Sequence, residues 1–282
     1  MKVHILALYL ALSLSATAVH AQEEDDELPS LEEIDRQLNN PLTSLWSMTL
    51  QDNFGVTRGT LVDGSATTNV LFFQPALPIP VGQGMIFIAR PVFPLLTLPV
   101  PNPTTGTFEG HETGFGDFQL LNLFGPSRTS GFVWGVGLTL KFPTASQPAL
   151  GSGNYQAGPA ALLINMGKPW VLGLLFQHWE SFAGDETRPE TSETNLQYIV
   201  RYSLPDAWSV GAGPTIAIDW TAPSGERVTF PIGLGVTKTV RWGQTPIKLR
   251  TEVHYSIIRP ETFGEAWNIR FQVTPVVKSP FQ

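Results

Sequence analysis

The chain contains no cysteine, which excludes a disulfide framework, thiolate catalysis and cysteine metal sites at once. Charge is sparse, only 15% of residues being Asp, Glu, Lys or Arg. There is no basic surplus either. With a formal net charge of −7 the sequence gives no support to nucleic-acid binding, which needs a positively charged face. Beyond the N-terminus no long apolar run occurs. The best candidate for a spanning helix, 159–176, is cut by Asn165 and by Gly167-Lys168-Pro169, whereas a helix needs about 20 apolar residues to cross a bilayer. If this chain crosses a membrane, it does so as strands.

What is present fits that route. The sequence holds 26 Gly, 24 Pro and 11% aromatic residues, a turn-rich composition typical of all-β proteins. At the start, Lys2 precedes an apolar run from Val3 to Leu14 and a small-x-small site at Val19-His20-Ala21. This pattern predicts a signal peptide over 1–21, cleaved after Ala21, and an exported mature chain. Residues 22–41 form an acidic leader. Glu23, Glu24, Asp25, Asp26, Glu27, Glu32, Glu33 and Asp35 face a single base, Arg36, so the remainder is nearly neutral. Within the leader, Leu28, Leu31, Ile34 and Leu38 fall at helical spacing between Pro29 and the stop Asn39-Asn40-Pro41. A short amphipathic periplasmic helix is expected there, with a solvated acidic linker as the alternative.

From residue 42 to 282 the pattern changes to alternation. In 132–142 the even positions (Phe132, Trp134, Val136, Leu138, Leu140, Phe142) are large and apolar and the odd ones mostly small or polar, a period of two. The same phase sets Leu249, Val253, Tyr255 and Ile257 against Lys248, Arg250, Glu252, His254 and Ser256, and Trp267, Ile269 and Phe271 against Asn268, Arg270 and Gln272. Twelve strands are predicted, near 43–52, 67–75, 84–93, 114–124, 131–142, 153–166, 170–180, 194–204, 207–219, 227–239, 246–257 and 266–278. Minimal turns such as 167–169 and 205–206 alternate with longer connections such as 53–66, 94–113 and 181–193. That asymmetry predicts an all-β transmembrane antiparallel up-and-down barrel of about 12 strands, with a short N-terminal helix. Two aromatic girdles are expected, Trp134, Trp170 and Trp208 at one end and Trp179, Trp220 and Trp267 at the other. Pro159, Pro214, Pro231 and Pro275 fall inside predicted strands and cannot donate to a ladder, so bulges or breaks are expected near them, with Gly158 and Gly213 adjacent to two.

Several stretches then carry a resemblance. Asn40-Pro41-Leu42-Thr43-Ser44-Leu45-Trp46, Gln74-Pro75-Ala76-Leu77-Pro78, Ile88-Ala89-Arg90-Pro91-Val92-Phe93-Pro94, Gly114-Phe115-Gly116-Asp117, Ala157-Gly158-Pro159 and Trp179-Glu180-Ser181-Phe182-Ala183-Gly184 occur in this order. Together they resemble the bacterial outer-membrane transporter proteins related to the phenol-degradation meta-pathway, often mislabelled neuromedin U. The resemblance covers nearly the whole chain from about residue 28. It implies an outer-membrane barrel that passes small aromatic or hydrophobic solutes, with outer-membrane lipid and the barrel-assembly machinery as partners. The ending Pro280-Phe281-Gln282 departs from the usual terminal aromatic residue.

On this register the inward face would hold Arg90, Asp117, Gln119, Lys141, Gln177, Arg201, Lys248, Arg250, Glu252, His254, Arg270 and Lys278. Twelve strands lie between the filled eight-stranded barrel and the open sixteen-stranded pore, so a narrow, selective or plugged path follows. An inward-folded N-terminal segment including Trp46 and Asn53 would leave ten or eleven wall strands. Two other readings compete. His254-Tyr255-Ser256 with Asn268 on the next strand resembles the catalytic set of an outer-membrane phospholipase, although here His254 and Ser256 are expected to point inward. Loop 94–113, with Pro99, Pro101, Pro103, Gly106 and Gly110, would serve a receptor barrel. The Gly114-x-Gly116, Gly135-x-Gly137 and Gly233-x-Gly235 pairs open no helix and carry no phosphate signal. The five histidines show no metal-site spacing, and no cofactor is expected.

Overall fold

A computed structural model of the chain describes residues 29–62, 64–101 and 108–279. The signal-peptide cleavage after Ala21 and the terminal Pro280-Phe281-Gln282 lie outside these residues. Fourteen strand segments follow one helix, α1 (Leu31–Gln37). They are β1 (Trp46–Arg58), β2 (Ala66–Gly82), β3 (Met85–Pro101), β4 (Phe108–Phe115), β5 (Phe118–Pro126), β6 (Gly131–Phe142), β7 (Asn154–Met166) and β8 (Trp170–Gly184). The remainder are β9 (Ser192–Ser203), β10 (Trp208–Ala212), β11 (Thr215–Asp219), β12 (Val228–Trp242), β13 (Thr245–Ile258) and β14 (Gly264–Val277). Breaks at 116–117 and 213–214 divide two wall strands in two, so the segments build a closed antiparallel barrel of twelve strands. The last strand pairs with the first from Trp46↔Val277 to Arg58↔Gly264, which closes the barrel. Trp46 and Asn53 belong to this first wall strand. The wall therefore keeps twelve strands although the preceding segment folds inward.

Alternation puts one face of each strand outside. Phe132, Trp134, Val136, Leu138, Leu249, Val253, Trp267 and Phe271 are exposed, while Val133, Thr139, Lys248, Glu252 and His254 are buried inside. Around the outer half runs a ladder of aromatic rings. Phe73, Phe93, Phe118, Phe142, Tyr155 and Phe182 touch in sequence at centroid distances of 6.0, 5.0, 5.6, 6.3 and 6.4 Å. Trp134, Trp170, Trp208, Trp220 and Trp267 are also exposed. Trp179, expected among them, is instead 1% exposed and faces the lumen, because its odd number puts it in phase with Val171 and Leu175 on β8.

Strands run further than alternation alone implied at the end away from the tight turns. The described residues of loop 94–113, 94–101 and 108–113, are not irregular. They belong to β3 and β4, which pair antiparallel with Leu95↔Phe115 and Leu98↔Glu112 opposed. The prolines misled because Pro99 and Pro101 lie past Thr97, the last β3 residue paired to β2, where the strand has become an edge and a missing donor costs little. At the opposite end the turns are minimal, as at Gly82-Gln83-Gly84, where three consecutive positive φ values of 88°, 52° and 71° reverse the chain.

The interior is asymmetric. Ile86, Ile88, Leu121, Leu123, Val133, Leu162, Ile164, Val171 and Leu175 from β3 and β5–β8 fill one side with apolar side chains. The facing strands β9, β13 and β14 supply most of the charges, Arg201, Lys248, Arg250, Glu252 and Arg270, to which β3 adds Arg90. Into the end with tight turns folds the N-terminal segment. Ser30 caps α1, its hydroxyl accepting from the Glu33 N–H at 3.2 Å. Ile34, Asp35, Arg36 and Gln37 are buried. Leu42, fully buried, seats against Gly125 and Gly135, where an added Cβ would lie 2.8 and 2.5 Å from its Cδ1.

Candidate functional site

The site grows from the break in the ninth wall strand. Gly213-Pro214 interrupts the ladder between β10 and β11, and the freed backbone turns to the lumen. The Gly213 carbonyl accepts from Gln197 at 2.9 Å and from Arg270 at 3.0 Å, and its N–H donates to Glu252 Oε2 at 3.3 Å. The Gly211 carbonyl accepts from Arg201 at 2.8 Å. A proline that could not continue the strand thus fixes two arginines.

Those arginines converge on one acid. Glu252, wholly buried, pairs with Arg201, lies 3.6 Å from Arg250 Nε and 3.5 Å from Arg270 Nη1, and accepts from His254 Nε2 at 2.8 Å. Arg270 is oriented further by Asn53 at 3.0 Å. Arg90 hydrogen-bonds to Gln74, and among the described residues it forms no ion pair. Two adjoining spaces surround the cluster. On the loop side a chamber of about 350 Å³ is lined by Arg90, Arg270, Gln119 and Gln177, with Val70, Phe72, Val92, Leu121 and Leu175 as apolar wall. Toward the plug a space of about 90 Å³ is lined by Arg90, Arg201, Arg250, Asn39 and Asn40. Gln51, Gln74, Arg90 and Gln197 line both.

The plug closes the second space. Lys248 donates to the Asp35 carbonyl and to Asn39 Oδ1, both at 2.7 Å, and lies 3.3 Å from Asp35 Oδ1. Thr239 donates to Asp35 at 3.0 Å and Arg250 to Asn39 at 2.8 Å. Arg36 reaches across to the carbonyls of Thr129 and Met166 at 2.6 and 3.1 Å. Glu33 ties Arg36 and Gln37 together. Burial opposes its ionisation, but their hydrogen bonds and the Arg36 charge outweigh this and hold its carboxyl below the usual range.

The expected lining residues therefore divide. Arg90, Gln119, Gln177, Arg201, Arg250 and Arg270 line the two spaces, while Glu252 sits behind them as counter-charge with His254 hydrogen-bonded to it. Lys248 is spent on the plug. Lys141 pairs with Glu193 and lies 4.3 Å over the Trp179 ring, in a separate contact. Asp117 is a correction. It accepts from the backbone of Ala145 and Ser152 at 3.1 and 2.7 Å and from the Ser152 hydroxyl at 2.9 Å, which makes it a loop anchor. Lys278 is another correction, lying exposed beyond β14. Sequence reasoning missed Asp35 and Asn39, which read as a solvated acid and a helix stop, and Gln74 and Gln197. Only the Gly-Pro within a strand signalled the position of the cluster.

Fold and site together define a transmembrane β-barrel of the outer-membrane type with a cationic, internally plugged lumen. No family model and no curated protein matches the chain. Among solved structures, the chain is similar to an outer membrane channel from Pseudomonas putida F1, with a TM-score of 0.61 at 12% identity over 83% of this chain and 96% of that one. Outer membrane phospholipase A from Escherichia coli aligns with a TM-score of 0.45 at 12% identity, covering 88% of this chain and 98% of its own. At these identities the likeness is one of fold.

Proposed function

We propose that this barrel is an outer-membrane channel for small organic anions with an aromatic or hydrophobic body, closed toward the periplasm by its own N-terminal segment. The observation that carries this reading is the charge imbalance: four guanidinium groups, Arg90, Arg201, Arg250 and Arg270, line the two adjoining spaces against two carboxylates, Glu252, which pairs with three of them, and Glu265 on the wall of the larger chamber. A low-dielectric channel lined by one sign of charge concentrates the opposite sign. Guanidinium groups match carboxylates in geometry, and the apolar wall of the chamber suits a ring or short chain. Its volume of about 350 Å³ lies within the roughly 300–1,000 Å³ of small-molecule sites. The resemblance to the phenol-degradation meta-pathway proteins supports an aromatic solute. Export by a cleaved signal peptide and insertion by the barrel-assembly machinery belong to the same reading.

The test is planar-bilayer recording of refolded mature protein under a potassium chloride gradient. A reversal potential on the chloride side is expected, with benzoate but not benzyl alcohol reducing the current at equal concentration. Cation preference in the conducting protein would overturn the reading.

One observation favours a second reading, since His254 and Asn268 are register partners and Ser256 is two residues from His254. Against it, His254 Nε2 is committed to Glu252, and Ser256 is buried inside the barrel, away from lipid. Ser256→Ala is expected to leave solute flux unchanged; phospholipid hydrolysis that disappears in this variant would replace the channel reading by the enzyme.

A further inference from the structure

The barrel wall carries an interruption in its hydrogen-bond ladder, called the slot below. Between the ninth wall strand and β12 the register is the same above and below, Gly211↔Gly235 on one side and Ala217↔Thr229 on the other. Across five positions, 212–216 facing 230–234, no pairing joins the two edges. At about 3.3 Å per residue the unpaired stretch runs for roughly 17 Å. An unpaired edge inside a bilayer leaves backbone groups without partners at a cost of several kcal/mol each. Here each edge is treated differently. On one side, Gly213 turns its N–H and carbonyl to Glu252, Gln197 and Arg270, and Pro214 has no N–H while its carbonyl accepts from Tyr198 N–H at 3.3 Å. On the other, Pro231 also lacks a donor, and its carbonyl accepts from the Tyr198 hydroxyl at 2.8 Å. Tyr198 reaches that carbonyl from β9, across the break, with its ring edge-on to Phe230 at 6.4 Å.

The slot faces lipid outside and the lumen inside. Ile232 and Leu234 on its outer edge are exposed, and Ile232 pairs with Tyr255, which packs on Trp267 at 4.7 Å. This places the slot at the level of an aromatic pair on the lipid face. Inside, Thr215, Ala217 and Gln197 line the larger chamber and Gly213 the smaller one.

We propose that this slot is a lateral passage between the lumen and the bilayer, with Tyr198 as its latch, through which the apolar body of an amphipathic carboxylate moves while its head stays with Arg90 and Arg270. The passage rests on the channel reading and adds a second exit to it.

The absence of cysteine allows a direct test. Gly213 has room for a side chain, the nearest atom to an added Cβ being 3.5 Å away. Gly213→Cys, refolded into liposomes, is exposed to a maleimide carried on the acyl chain of a phospholipid. Thr139→Cys, buried inside the barrel behind a complete ladder, serves as control. Labelling of Gly213→Cys at least tenfold faster than the control, and several-fold faster again with Tyr198→Phe, is expected. Labelling no faster than the control overturns the passage. Thr215→Cys, across the break, repeats the measurement should Gly213→Cys fail to refold. Chloride conductance is recorded on the same preparations, so that a closed wall with intact anion current removes only the lateral route, while loss of anion preference removes the channel reading.

Discussion

Glu252 is the one carboxylate that three guanidinium groups share, and it has no solvent contact. Removing one partner of a buried charge cluster leaves the others uncompensated, at a cost of about 3–5 kcal/mol. Glu252→Gln should lower the urea midpoint of the refolded barrel by a corresponding amount, and the fraction that folds should prefer anions more strongly than the parent. An unchanged midpoint would mean that the arginines find other acceptors. At this scale the sequence was legible in part. Strict alternation placed Arg201, Glu252 and Arg270 inward, because a period of two leaves a charged residue only one dry alternative. It could not say that Asp117 serves a loop, because its partners Ala145 and Ser152 lie about 30 residues downstream, a distance no local pattern encodes.

The N-terminal element shows how a helix too short to be stable alone acquires a fixed place. Seven residues form α1, well below the 12–15 that an isolated helix needs, so its order comes from Lys248, Thr239 and Arg250 on the wall. Replacing both Asp35 and Asn39 by Ala should release the plug, raising mean conductance several-fold while leaving the barrel folded. Conductance equal to the parent would place the constriction at the arginines instead. The helix itself was legible from the spacing of Leu31, Ile34 and Leu38. Its destination was not, since an acidic leader reads as solvated until the lysine that receives it is known. The connections at the other end are elements too. Glu226 accepts from the N–H and hydroxyl of Thr262 at 3.1 and 2.7 Å, and these bonds hold its carboxyl below the usual range. A lowered folded-state value means that this tie is complete at neutral pH and is lost as pH falls through that value. The parent is therefore expected to resist loop proteolysis at pH 7 and to become susceptible in acid, and Glu226→Gln is expected to be cleaved already at pH 7.

Across the whole molecule, one lumen wall is apolar and the opposite wall charged, a division that alternation hid. In β7 the run Ala160-Ala161-Leu162-Leu163-Ile164 is apolar on both faces, because one face meets lipid and the other meets the filled half of the lumen. Such a run reads as a fully buried strand and says nothing about which side is water-free. The outer surface was easier to read, since lipid selects apolar residues at every second position of every strand and aromatic residues where the hydrocarbon ends. The six-ring ladder from Phe73 to Phe182 is the clearest product of that selection, and it gives a stability prediction independent of transport. Phe118 packs against Phe93 at 5.0 Å and Phe142 at 5.6 Å. Each aromatic pair contributes about 0.5–1.5 kcal/mol beyond area burial, so Phe118→Ala should lose roughly 1–3 kcal/mol. Folding into lipid vesicles across a urea series, read by the mobility difference between folded and heated barrel, should show the midpoint shift. Single-channel current should not change, because the ring faces lipid. A variant that alters current without altering the folding midpoint would place Phe118 in the conduction path and contradict the outward phase on which the whole barrel assignment depends.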